Sequence, residues 1–304
     1  MAAPALLELR ADPFALALCP EVGGGIARAE GWGEELLRPA REMAVAARDP
    51  LRLAAYVLVP FSNRVRDARL AFDGQTYELA RNFPPEPHAI HGNGWQRAWR
   101  VERTDGREAV LALSHDPARD GAAAWPFAYE AEQAYRLTAD GFAVELRLTN
   151  RDARRMPAGL GLHPFFPATP ATRLAAKLGG VWQSDARKLP AKHTGLPSAW
   201  DFAAGQPVTT LSVDNCFTGW DQNAAVEWPD RHLRLEIEAS SNLRSLVIFV
   251  PQAHDYFCVE PVSNINDAFN LAAAGVPDTG MVVLAPGETL AAEIRFRFSR
   301  ISPA

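Results

Sequence analysis

Apolar and polar residues alternate along much of this chain with the period of two that marks a half-buried strand. Phe127, Tyr129, Ala131, Tyr135 and Leu137 share one parity while Glu130, Glu132 and Arg136 take the other, and Phe142, Val144, Leu146 and Leu148 repeat the pattern against Glu145 and Arg147. Asp140-Gly141 joins the two runs. This reads as a hairpin, because a type I′ turn needs positive φ at both central positions and Asp-Gly supplies it cheaply. The same signature recurs at Asp73-Gly74, between Leu70/Phe72 and Tyr77/Leu79, and at Asp105-Gly106, between Trp99/Val101 and Leu111/Leu113. Leu233, Leu235 and Ile237 alternate too, as do Leu290, Ala292, Ile294, Phe296 and Phe298, with Glu293, Arg295 and Arg297 pointing outward. Helix is scarce. Glu34 to Ala47 has room for a turn or two around Pro39, and Ala268 to Ala274 for one short helix. The pattern predicts a mostly antiparallel β protein with long, proline-rich loops. With no internal repeat, low-complexity tract or linker, residues 1–304 read as one large sandwich-like domain.

Composition narrows the function classes. The 304 residues are 48% hydrophobic and 22% charged, which is ample material for a core. The formal net charge is −5 and no run of Lys or Arg marks a phosphate backbone or an anionic membrane, so neither nucleic acid nor membrane is an expected partner. Cys19, Cys216 and Cys258 are an odd number at no metal spacing. They read as buried or semi-buried thiols in a reducing compartment, with no metal expected. Residues 1–19 interleave apolar positions with Glu8, Arg10 and Asp12, unlike a signal peptide, and no apolar run reaches membrane-spanning length. A soluble cytoplasmic location is the expectation.

The densest chemistry lies in Phe257 to Asn270, where Glu260 follows an apolar strand and precedes Pro261. Proline should end the ladder there and leave Glu260 where the strand leaves the sheet, presented to a cleft. A surface or ion-paired carboxylate is the plain alternative. Four further segments read as loops. Phe61-Ser62-Asn63-Arg64 follows the buried run Ala54 to Pro60, and Pro87 to Trp95 carries His88, His91 and two glycines. Gly159 to Pro167 sets His163 among apolar and aromatic neighbours, which suits either a tuned titrating group or a hydrogen-bonded core histidine. Val213 to Trp220 contains Asp214, which an Asx-turn would also explain. Trp95, Trp182 and Trp220 fall in loops, where they suit either sugar stacking or satellite packing.

Taken in order, Val59-Pro-Phe-Ser-Asn-Arg-Val65, His88-Ala-Ile-His-Gly92, Gly161-Leu-His-Pro-Phe-Phe166, Asp214-Asn-Cys-Phe217 and Val259-Glu-Pro-Val-Ser263 resemble the aldose 1-epimerase (mutarotase) family from about Glu35 to the C-terminus. The resemblance implies an all-β, galactose mutarotase-like antiparallel β-sandwich with very little helix. It implies a base at Glu260, a general acid at His163, a second catalytic histidine at His91 and a hydroxyl-binding aspartate at Asp214. It also implies substrate contacts at Arg64, with Asn63 and Trp95 from the same loops. The partner would be a small sugar. Anomer exchange takes a proton from the C1 hydroxyl and gives one to the ring oxygen, so base and acid are expected on different sides of the hemiacetal, with no cofactor. Galactose-type members carry Asn-His-Thr/Ser-Tyr-Phe-Asn-Leu around the acid histidine where this chain has Gly-Leu-His-Pro-Phe-Phe, so galactose preference does not transfer. A hexose 6-phosphate epimerase, a non-catalytic carbohydrate-binding sandwich, and a glycoside hydrolase or lyase pairing Asp214 with Glu260 are the alternatives. A phosphorylated substrate would call for clustered cations, for which Arg64, Arg66 and Arg69 are the nearby candidates.

Overall fold

The structure is a computed structural model and describes residues 3–252 and 254–302. Two antiparallel sheets, of eleven and nine strands, make up most of it. Six strands of the larger sheet matter for the site: β1 (Ala55–Leu58), β2 (Gly161–Pro167), β3 (Gly180–Ser184), β4 (Val213–Thr218), β5 (Ser245–Val250) and β6 (Tyr256–Val262). They lie side by side in the order β1-β2-β6-β5-β4-β3, so residues distant in sequence become neighbours on one surface. The nine-stranded sheet is built around the predicted hairpin of Tyr129–Thr138 with Gly141–Asn150, and the C-terminal strand Thr289–Arg300 pairs with the latter.

Alternation sorts the faces. In the C-terminal strand Leu290, Ala292, Ile294, Phe296 and Phe298 are buried. Phe296 lies 6.4 Å from Phe166 of β2, ring centroid to ring centroid, and Phe298 lies 6.5 Å from Phe14, so the sheets meet face to face. Each such buried side chain contributes about 1.5–3 kcal/mol. The ion pairs on the outer face, such as Arg295 with Glu293, are exposed and contribute about 0–1 kcal/mol each. Apolar burial therefore holds the sandwich. Helix is as scarce as the pattern predicts, with Glu42–Ala46, Pro117–Asp120 and Ala268–Ala273 the α-helices among the described residues. None is long and apolar enough to cross a membrane.

Two expectations need correction. All three Asp-Gly hairpins form, but only Asp73-Gly74 has positive φ at both positions, 50° and 73°. Asp105 instead accepts the backbone N–H groups of Arg107 and Glu108 at 2.8 Å through its carboxylate. Gly141 is already a strand residue opposite Thr138, and a Cβ there would stand 2.0 Å from the Phe296 carbonyl oxygen. Nor does Pro261 end its ladder: β6 continues to Val262, which pairs with Ser245 and Gly161. The missing proline donors are accommodated because pairing between β2 and β6 skips from Gly161/Val262 to Phe165/Cys258, a gap that contains both Pro164 and Pro261.

Candidate active site

That gap is where His163 and Glu260 face each other. Tyr56 of β1 pairs with His163, Val247 of β5 with Glu260, Cys216 of β4 with Val247, and Trp182 of β3 with Cys216. Since paired residues share a face, Tyr56, His163, Glu260, Val247, Cys216 and Trp182 form one row across the larger sheet, on the side away from Phe166 and the second sheet. Two residues further along β4 and β6, Asp214 and Cys258 flank Phe249 on the same side.

Loops complete the arrangement. His91 donates its backbone N–H to the Asn63 carbonyl at 2.8 Å, and the Asn63 N–H donates back to His91 Nδ1 at 3.1 Å. This clasp holds both residues at φ of 60° and, in the neutral ring, leaves the His91 proton on Nε2. Arg64 donates through Nε to Glu86 Oε2 at 3.2 Å and through a terminal nitrogen to Asn63 Oδ1 at 3.1 Å. The polar half of the Phe257 to Asn270 stretch anchors these loops: Asn264 Oδ1 accepts from the Ser62 N–H, Asn266 Oδ1 from the Arg64 N–H, and Asp267 from Arg66.

His163 Nε2 is 3.2 Å from Glu260 Oε1, and the two residues are 7% and 3% exposed. Among the described residues His163 Nδ1 has no hydrogen-bond partner. The imidazole lies between Tyr56 and Phe165, with centroids at 4.7 and 4.6 Å. Burial pulls His163 down to about 3, with the Arg38 guanidinium as a second cause. Burial pushes Glu260 well above the usual carboxylate range, Asp214 adding to the shift and Arg64 opposing it. His91 is likewise held well below the ordinary histidine value by burial, then by His163 and Arg64. In a dry site neither partner carries charge easily alone, so the pair retains one proton over a wide pH range.

Of the residues singled out from sequence, Glu260, His163, His91, Asn63 and Arg64 come together in the fold. Asp214 joins them from β4, where it is a strand residue rather than an Asx-turn, with Oδ2 3.2 Å from Lys188 Nζ. Trp95 does not offer a stacking face: it is 1% exposed, its indole N–H donates to the Gly92 carbonyl at 3.1 Å, and it packs behind His91. Trp220 is buried with its N–H on the Asn223 carbonyl, whereas Trp182 is half-buried in β3. Gly159 to Pro167 and Val213 to Trp220 consist largely of strands, β2 and β4, rather than loops; in β2 the sheet tolerates Pro164 inside the interrupted ladder, and β4 pairs without interruption with β5. His163 and Glu260 touch instead of standing on different sides of a substrate. This geometry remains usable, because O1 and O5 of a hemiacetal are both bonded to C1, and one adjacent donor-acceptor pair addresses both. Sequence reading missed Tyr56 and Lys188, and it read Cys258 only as a buried or semi-buried thiol without placing it on the face that carries Glu260 and His163. The parity of the apolar run before Pro60 was the available signal for Tyr56, while nothing in sequence brings Lys188 to Asp214. His163, Cys258 and Glu260 have donor atoms within 4.8 Å of one another, the spacing of a metal site, but burial and Glu260 hold the thiol protonated, which opposes ligation. Asn63 and Asp214, together with Trp182, Cys216 and Asn266, also line a small depression.

The profile of the family described as aldose 1-epimerase matches residues 5–297, further toward the N-terminus than the five motifs reach. An uncharacterized Escherichia coli protein, YphB, is 32% identical over 270 residues, covering 86% of this chain and 88% of that one. A solved Escherichia coli K12 structure, provisionally described as an aldose 1-epimerase, superposes with a TM-score of 0.88 at 29% identity over 98% of this chain and 99% of the other. A galactose mutarotase-like protein of Clostridium acetobutylicum shares the fold, with a TM-score of 0.85 at 18% identity and coverage of 98% and 99%.

Proposed function

The chain belongs to the aldose 1-epimerase family, and from that premise we propose that it interconverts the α and β anomers of a free aldose, with Glu260 as base and His163 as acid. The observation that carries this reading is the buried 3.2 Å contact between Glu260 Oε1 and His163 Nε2. A pair that shares one proton has two arrangements: a neutral acid beside a neutral imidazole, or a carboxylate beside an imidazolium. The second is the base and acid that ring opening needs, and the proton need move only across the contact. Glu260 then takes the C1 hydroxyl proton while His163 protonates the ring oxygen, the C1–O5 bond opens to the aldehyde, rotation about C1–C2 exposes the other carbonyl face, and reclosure reverses both transfers. His91 Nε2–H and Arg64 would stabilise charge developing on the oxygens, and Asp214 with Asn63 would hold the ring hydroxyls.

A phosphorylated hexose is the weaker reading. Arg64, Arg66 and Arg69 are already matched by Glu86, Asp267 and Glu78, which leaves little cationic surplus for a dianion. The proposal is tested by polarimetry of freshly dissolved α-aldoses with and without the protein. Accelerated relaxation to the equilibrium rotation, with no new reducing ends released from a disaccharide, is the expected result. Sugar binding without acceleration would make this a carbohydrate-binding protein, and release of monosaccharides would make it a glycosidase.

A further inference from the structure

Glu260 and His163 have a third neighbour that anomer exchange does not use. Cys258 stands two residues before Glu260 on β6, so both side chains leave the same face of the strand, and one donor atom from each of Cys258, Glu260 and His163 lies within 4.8 Å of the other two. All three residues are buried. Four-coordinate zinc holds nitrogen and oxygen at about 2.0–2.2 Å and sulfur at about 2.3 Å, which sets neighbouring donors roughly 3.3–3.6 Å apart. The 3.2 Å separation of His163 Nε2 and Glu260 Oε1 already matches one such edge. For the thiol, roughly 1 Å of closure is the most that remains. The ligands sit on adjacent strands of one sheet, which fixes their backbone before any ion arrives. No spacing in the sequence announces them, because His163 joins Cys258 and Glu260 only across the gap between β2 and β6.

Charge balance favours entry of a dication. Without one, the thiol keeps its proton and the Glu260–His163 pair keeps one, so the cluster is neutral overall. A dication bound by thiolate, carboxylate and neutral imidazole releases both protons and again leaves a net charge of zero, which a dry site tolerates. The protonated thiol opposes ligation without forbidding it, since a dication at bonding distance drives a coordinating thiol to thiolate. Thiolate with imidazole selects zinc over magnesium or calcium, which take oxygen ligands. Among the described residues His163 Nδ1 has no partner, so the imidazole lacks the outer hydrogen bond of a resident zinc ligand, at a cost of about 10–100-fold in affinity. An ion held this way exchanges. We propose that His163, Cys258 and Glu260 form a reversible zinc site, in which the ion displaces the proton shared by the catalytic pair and stops anomer exchange. Inhibition rests on the anomer-exchange reading; binding of the ion does not.

Binding is read with cobalt(II), a zinc substitute whose thiolate complexes absorb in the near ultraviolet, on chelator-stripped protein without a polyhistidine tag. The wild type should show the thiolate-to-cobalt band, and zinc should abolish it. Cys258→Ser should lack the band, whereas Cys216→Ser, which alters the other thiol on this face, should keep it. Cys258→Ala takes the place of Cys258→Ser if the buried hydroxyl prevents folding. No band in the wild type, or a band that survives loss of the Cys258 thiol, overturns the site. Inhibition is read by polarimetry: zinc should slow the wild type, a chelator should restore the rate, and magnesium at the same concentration should have no effect. Cys258→Ser should turn over within about twofold of the wild type without zinc and require at least about tenfold more zinc for half-inhibition. Undiminished turnover in saturating zinc, or equal zinc sensitivity of the two proteins, overturns the proposal. If no sugar mutarotates, anomer exchange falls, while a cobalt band that depends on Cys258 leaves the metal site standing.

Discussion

His163 and His115 are both buried histidines against an aromatic ring, and both are held below the ordinary imidazole value by burial. Their nitrogens meet different fates. His115 stacks on Tyr129, its Nε2 is 2.8 Å from the Trp125 carbonyl, and its Nδ1 is 3.2 Å from Asn93 Nδ2, while the Tyr129 hydroxyl donates to the other end of the same amide. With Nε2–H and bare Nδ1 every group in that chain has a partner, Arg97 also standing 3.3 Å from Nδ1, and the carboxylate nearest that nitrogen, Asp120 at 3.7 Å, is already engaged by Arg119 and Arg97. His163 leaves Nδ1 without a partner among the described residues and spends Nε2 on a carboxylate that burial has pushed the opposite way. A satisfied buried histidine stabilises the fold, whereas one with a shared proton and an orphaned nitrogen is poised for chemistry. The desolvation that both experience cannot tell them apart; the partners can.

The contrast breaks most sharply at Glu260. Glu260→Gln keeps the shape but removes the base, and polarimetric kcat should fall by about a hundredfold or more with sugar affinity nearly unchanged. Retention of more than half the wild-type rate would remove Glu260 from the role of base. His163→Asn should cost roughly a hundredfold as well, and it carries a second signature in the pH profile.

In the wild type the active form is the pair with one proton. As pH falls toward the lowered value of His163 the pair gains a second proton and the base is lost; as pH rises past the raised value of Glu260 it loses its only proton and the acid is lost. The rate should therefore be bell-shaped, with limbs that belong to the pair. In His163→Asn the alkaline limb should vanish, since the remaining carboxyl serves only as a base, whereas His91→Asn should keep both limbs. The reverse outcome would exchange the roles of the two histidines.

A smaller effect is expected at Asp214→Ala, which should raise KM about tenfold through lost hydroxyl contacts, with a normal circular dichroism spectrum. Unchanged kinetics would leave Asp214 as no more than the ion-pair partner of Lys188. At the other pole of the comparison, His115→Phe strands the Asn93 amide and the Trp125 carbonyl, and chemical denaturation should register a loss of about 1–3 kcal/mol. Turnover per folded molecule should stay within about twofold. A large loss of kcat with unaltered stability would mean that His115 belongs with His163 after all.

The strands and hairpins of the nine-stranded sheet were legible from local pattern, because one face of each strand is wet and the period of two survives in the sequence. Tyr129–Thr138, Gly141–Asn150 and Thr289–Arg300 are such cases. The site strands were harder to read. β2 and β6 are buried on both sides and contain proline, so Gly161–Pro167 looked like a loop and Glu260 like a strand end, although both lie inside the sheet. The kinds of residue at the site, and through the family resemblance their assignments, were present in the sequence. Their partners were not. That His163 meets Glu260 follows from β2 and β6 lying side by side across about a hundred residues of chain, with Pro164 and Pro261 sharing one gap in the ladder. That Asp214 meets Lys188, that Trp95 sits behind His91, and that Trp182 faces a cavity depend equally on strand order and loop placement. Local sequence sets which groups are available and which face they take, while charge state depends on desolvation and neighbours, and only the closed tertiary structure supplies those.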